Sequence, residues 1–148
     1  MPESELDNVL PYYVYAATPL MLAARAGHTD IVKMLLEDSR TEPSVGSIRG
    51  SPIDVRESPA LSWAAAKGHK DVVKVLLDDG RVDPRAGDGT IHGLHTSAAL
   101  KWAARGGYLE IVRMLLEDGR VKDSIDVALR IAQDRGHIEV AELLKAYK

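Results

Sequence analysis

One stretch of sequence returns four times along the chain: GHTDIVKMLLEDSR from Gly27, GHKDVVKVLLDDGR from Gly68, GYLEIVRMLLEDGR from Gly107 and, in altered form, GHIEVAELLKAYK from Gly136. This repetition constrains the fold more than any single motif, because a unit this small cannot bury its own apolar face and must stack on its neighbours. The residues that recur are mostly Leu, Val, Ile and Gly. They pack and turn but perform no chemistry, so the copies are architecture rather than four active sites.

Upstream of each glycine lies the other half of the unit: ATPLMLAARAG, SPALSWAAAKG, AALKWAARGG and VALRIAQDRG. The pattern predicts a short helix, a turn and a longer helix. Leu20, Leu61, Leu100 and Leu129 anchor the first helix, and the pairs Ala23-Ala24, Ala64-Ala65 and Ala103-Ala104 keep its packed face thin, with Ala132-Gln133 as the imperfect last pair. The glycine ends that helix in a left-handed turn. The acid three places on (Asp30, Asp71, Glu110, Glu139) suits the positive end of the second helix. Apolar residues four, five, eight and nine places after the glycine form one helical stripe: Ile31, Val32, Leu35, Leu36; Val72, Val73, Leu76, Leu77; Ile111, Val112, Leu115, Leu116. In the fourth copy Lys145 stands where a leucine would be, the mark of a C-terminal cap with no repeat beyond it.

With these residues in place, TPLMLAARAGHTDIVKMLLE resembles an ankyrin repeat, a unit of about 33 residues with a T-P-L-H-x-A signature. The resemblance covers residues 17–148. It implies an all-α, ankyrin-type helical repeat solenoid with long β-turn finger loops, divided near 17–50, 51–89, 90–122 and 123–148, and preceded by a segment 1–16. Only the first copy keeps Thr18-Pro19-Leu20, and Met21, Ser62, Lys101 and Arg130 replace the signature histidine. PYYVYA, with Tyr12, Tyr13 and Tyr15, reads as a strand-like or irregular piece covering the open face of the first repeat.

The glycines are spaced by 41, 39 and 29 residues, so the first two connections exceed the family length and the third falls short. The enlarged fingers are RTEPSVGSIRGSPIDVRESP (Arg40 to Pro59) and RVDPRAGDGTIHGLHTS (Arg81 to Ser97). Insertions on one face of a solenoid often mark its binding face. Arg49, Asp54 and Arg56 in the first finger, and Asp88, His92 and His95 in the second, are therefore candidate partner contacts. The resemblance also implies that the residues just before each turn glycine point into a concave groove. Arg25, Lys67, Arg105 and Arg135 hold those places, and with Lys101 and Arg130 they make six bases against one acid, Asp134. The second helices end in Glu37-Asp38, Asp78-Asp79 and Glu117-Asp118, which predicts a negative opposite side and forecasts an acidic protein partner for the groove. Trp63 and Trp102 share one place in successive copies, where the outer copies have Leu22 and Ile131. That favours a core role over an exposed shelf.

A formal charge of −3 argues against blanket attraction to nucleic acid or anionic lipid. The uncharged run Asn8 to Ala24 contains Pro11 and Pro19 and is too short for a membrane span. MPESELDNVL lacks the basic and apolar regions of a secretory signal, and the absence of cysteine suits a reducing compartment, cytoplasm or nucleus. His28, His69 and His137 belong to the repeat, which leaves His92 and His95 unexplained. Two imidazoles with Asp83 and Asp88 nearby are the basis of the competing reading, a metal-binding or enzymatic protein centred on that loop. No phosphate-binding glycine loop, nucleophile elbow or H-E-x-x-H accompanies it. The expectation is a non-enzymatic, cofactor-free and monomeric protein-interaction scaffold, in which recognition runs through the groove and the two fingers.

Overall fold

The computed structural model describes residues 18–41, 59–85, 90–91, 94–95 and 97–148. Within them the chain forms eight helices: α1 Pro19–Ala26, α2 Thr29–Glu37, α3 Pro59–Lys67, α4 Lys70–Asp79, α5 Ala98–Gly106, α6 Leu109–Asp118, α7 Ile125–Asp134 and α8 Ile138–Tyr147. A 3-10 turn, Lys122–Ser124, leads into α7. Successive helices pack as pairs, the second longer than the first in three of the four, and the four pairs stack in chain order. This is the all-α helical repeat solenoid that the periodicity and the resemblance predict.

The helix starts are capped locally. The Thr18 hydroxyl accepts from the Met21 N–H at 3.2 Å, and Pro19 sits in the first turn, where its missing N–H leaves nothing unsatisfied. Ser97 does more. Its hydroxyl accepts from the Leu100 N–H at 3.2 Å and donates to the Pro84 carbonyl, while its own N–H donates to the Ser124 hydroxyl at 2.7 Å. One buried serine thus ties the base of the second finger, the start of α5 and the turn before α7 in a place where the signature histidine is absent.

The first helices make one layer and the second helices another, and neighbours touch over more of their length in the first layer. The cause is the alanine pairs: Ala23, Ala24, Ala64, Ala65, Ala103 and Ala104 are all buried, and no longer side chain holds the backbones apart. The first helices are thus the more closely packed, inner layer. Leu20, Leu61 and Leu100 anchor this layer and Val32, Val73, Leu76, Ile111, Val112, Leu115, Val140 and Leu144 fill the space behind it. Each such side chain contributes roughly 1.5–3 kcal/mol by leaving water. On the fourth pair Gln133 and Lys145 are exposed.

The second finger carries a small hairpin that the sequence pattern did not announce: β1 Thr90–Ile91 pairs antiparallel with β2 Leu94–His95, Thr90 opposite His95 and Ile91 opposite Leu94. Most of the first finger and the N-terminal residues 1–17 lie outside the described residues.

Candidate functional site

The inner layer sets out the cations in a row because the turn glycines recur at fixed offsets from them. Arg25, Lys67 and Arg105 stand in the last turns of α1, α3 and α5, where positive charge also complements the negative end of the helix dipole. Lys101 lies four residues before Arg105 and so shares its face of α5. These four are half-buried, whereas Arg130 and Arg135 on the last repeat are exposed.

Two of the arginines are laid on the tryptophans. The Arg25 guanidinium carbon stands 4.7 Å from the Trp63 ring centroid, across a repeat boundary, and that of Arg105 stands 5.4 Å from Trp102 in its own helix. Both distances are within the range of a cation–π contact. Trp63 is buried, as the core reading expects, but Trp102 is only partly buried. The backbones of the same two arginines are held from the next repeat. The Nε2–H of His69 donates to the Arg25 carbonyl at 2.9 Å, and that of His137 donates to the Arg105 carbonyl at 3.0 Å. A carbonyl can only accept, so these bonds place the proton on Nε2.

The same rings lie against the preceding turn glycines. A Cβ added at Gly27, Gly68 or Gly107 would stand within 2.7 Å of His69, Tyr108 or His137, respectively. The histidines that open each second helix therefore do not cap it with their side chains. His69 and His137 join repeats.

The opposite side carries more ion pairing than the sequence alone shows. Asp38, Asp79 and Asp118 end their helices as predicted, but each is paired with the arginine two residues on: Arg40 at 2.8 Å, Arg81 at 2.7 Å and Arg120 at 2.6 Å. Hydrogen bonding to those guanidinium groups holds all three carboxyls below the ordinary aspartate range. Asp78 is also within 3.4 Å of Lys74. These pairs offset part of the negative charge at the ends of the second helices. Arg81 goes further and donates to the Leu36 carbonyl at 2.7 Å and the Thr41 carbonyl at 3.0 Å, while Arg120 reaches the Val82 carbonyl at 3.5 Å. These arginines tie each repeat to the one before. The recurrence of EDSR, DDGR and EDGR carried that information in the sequence, although pairing and reach are visible only in three dimensions.

Of the finger candidates, Arg49, Asp54, Arg56, Asp88, His92 and the side chain of His95 lie outside the described residues. Among the described residues no group of three or more His, Cys, Asp or Glu side chains could hold a metal ion, and no helix is long and apolar enough to cross a membrane. What the described inner layer offers is a cationic, partly aromatic surface suited to binding.

The family model for ankyrin repeats, described as "Ankyrin repeats (3 copies)", matches residues 4–88 and, overlapping these, residues 41–126. No curated protein matches the chain.

Proposed function

Because the chain belongs to the ankyrin repeat family, whose members are in general protein–protein interaction modules and typically not enzymes, we propose that it is a monomeric scaffold whose inner groove binds an acidic protein surface. The observation that carries this reading is the row of cations on the first helices, Arg25, Lys67, Lys101, Arg105, Arg130 and Arg135, beside the partly open indole of Trp102. An acidic partner gains from such a row mainly through steering and register rather than raw affinity. In this reading Arg49, Asp54, Arg56, Asp88, His92 and His95 of the two fingers supply further contacts. The compartment is cytoplasmic or nuclear, in keeping with a chain free of cysteine.

The test reverses charge at Lys67→Glu, Lys101→Glu and Arg130→Glu and leaves Arg25 and Arg105, which rest on tryptophans, in place. This triple variant should keep its circular dichroism spectrum and lose the partners that the wild-type chain captures from native extract. A matched reversal on the second helices (Lys33→Glu, Lys74→Glu, Arg113→Glu) should retain them. Rising salt should weaken the wild-type capture, because exposed charges are screened beyond about 8 Å at physiological ionic strength. Equal capture by both triple variants would move the site off the groove.

A further inference from the structure

The two tryptophans share a place in the repeat but not a covering. The Arg25 guanidinium is laid on Trp63 from the preceding repeat, 4.7 Å from the ring centroid, and Trp63 is only 7% exposed. One repeat on, the place of Arg25 belongs to Ala66. A methyl group cannot reach over a ring as a guanidinium does, and Trp102 is only partly buried even with its own Arg105 at 5.4 Å. Ala66 is partly buried too. The boundary between the second and third repeats thus lacks the planar group that closes the boundary before it. Three cations belong to the same stretch of the inner layer: Lys67 follows Ala66, Lys101 precedes Trp102, and Arg105 stands one turn on.

We propose that Trp102 and Ala66 form a subsite for an aromatic side chain of the partner, one that is flanked by carboxylates. The proposal rests on the acidic-partner reading above and adds what charge alone does not specify. The face of an indole is the negative side of its quadrupole, so a carboxylate is turned away from it and goes to Lys67, Lys101 or Arg105 instead. A cation would suit the face, as Arg25 does on Trp63, but here it would enter among three positive side chains, one of which already lies on the ring. An uncharged planar ring meets neither objection. It has the flat shape of the missing guanidinium, stacks on the indole and takes apolar area out of water. Leu22 and Ile131 hold the tryptophan's place in the outer repeats, and Trp63 is already covered. The subsite therefore occurs at one level of the stack and fixes the register of an acidic segment along it.

Fluorescence anisotropy with labelled peptides tests this on the full chain. Each peptide carries glutamates on both sides of a central residue, which is phenylalanine, alanine or arginine. The phenylalanine peptide should bind about tenfold more tightly than the alanine peptide. Ala66→Arg supplies at this boundary the side chain that covers Trp63. It also adds positive charge, so acidic attraction alone would tighten every glutamate peptide, whereas the proposal expects the preference for phenylalanine to fall to near one. Trp102→Leu copies Leu22 of the first repeat. It should abolish the preference as well, and it decides the matter if the arginine variant fails to fold. A wild-type preference near one, a preference unchanged in the folded variants, or tightest binding of the arginine peptide would overturn the subsite. If the alanine peptide still bound the wild type and weakened in the Lys67→Glu, Lys101→Glu, Arg130→Glu variant, the groove reading would stand without it. If no peptide bound, or all bound that variant as tightly as the wild type, both would fall.

Discussion

Gly107 and Gly136 hold the same place in successive repeats and have the same left-handed backbone, with φ of 74° and 76°. They differ in what covers them. A Cβ at Gly107 would stand 2.6 Å from His137 Nδ1, whereas one at Gly136 would meet nothing within 4 Å. Gly136→Ala should therefore cost only the left-handed penalty, about 1–2 kcal/mol. Gly107→Ala carries that penalty as well and forces the His137 ring away. This loses the hydrogen bond to the Arg105 carbonyl, about 1 kcal/mol, and crowds a packed repeat boundary, about 1–3 kcal/mol. The expected total is about 3–6 kcal/mol, so the two variants should differ by about 2–4 kcal/mol. Urea unfolding followed by circular dichroism measures this, and unchanged slopes would show that stability alone has moved. In thermal melts the gap corresponds to about 4–16 °C for a domain near this size. A cycle with His137→Ala sharpens the test: removing the ring first should relieve the clash, so the double variant should fall short of additivity by about 1 kcal/mol or more. If the two glycine variants agreed within about 0.5 kcal/mol, the close approach of His137 would not be holding the repeats together.

Two further outcomes follow from the paired aspartates and arginines. Arg81→Ala removes donors to the Leu36 and Thr41 carbonyls on the previous repeat and should cost about 1–3 kcal/mol, whereas Arg85→Ala, whose guanidinium pairs with the nearby, half-exposed Asp83, should cost under about 1 kcal/mol; urea melts of the two compare them directly. The carboxyls of Asp79 and Asp118 titrate below their ordinary value of 3.8, so their pairing stabilises the fold above that pH and is lost as the pH falls through the lower folded values. Melting temperatures recorded from pH 5 to pH 2 should fall more steeply for the wild type than for an Asp79→Asn, Asp118→Asn variant, and parallel curves would contradict this.

The sequence by itself determined the repeat, the helix pairs and the lining of the core. Those features depend on local spacing: an alanine pair, a turn glycine and a stripe at four, five, eight and nine places say the same thing in each copy. Tertiary structure decided how the repeats are joined. His69 and Arg25 are 44 residues apart, and Arg81 and Leu36 are 45 apart; no local pattern says that a ring will lie over the previous turn or that an arginine will reach the previous helix. The arginines two places after Asp38, Asp79 and Asp118 are legible in the sequence, but their pairing with those acids depends on side-chain direction rather than composition. Two tryptophans at one repeat position likewise look identical in sequence. Yet the guanidinium over Trp63 comes from the neighbouring repeat and the one over Trp102 from its own helix, because each ring's surroundings are set by the repeats on either side of it.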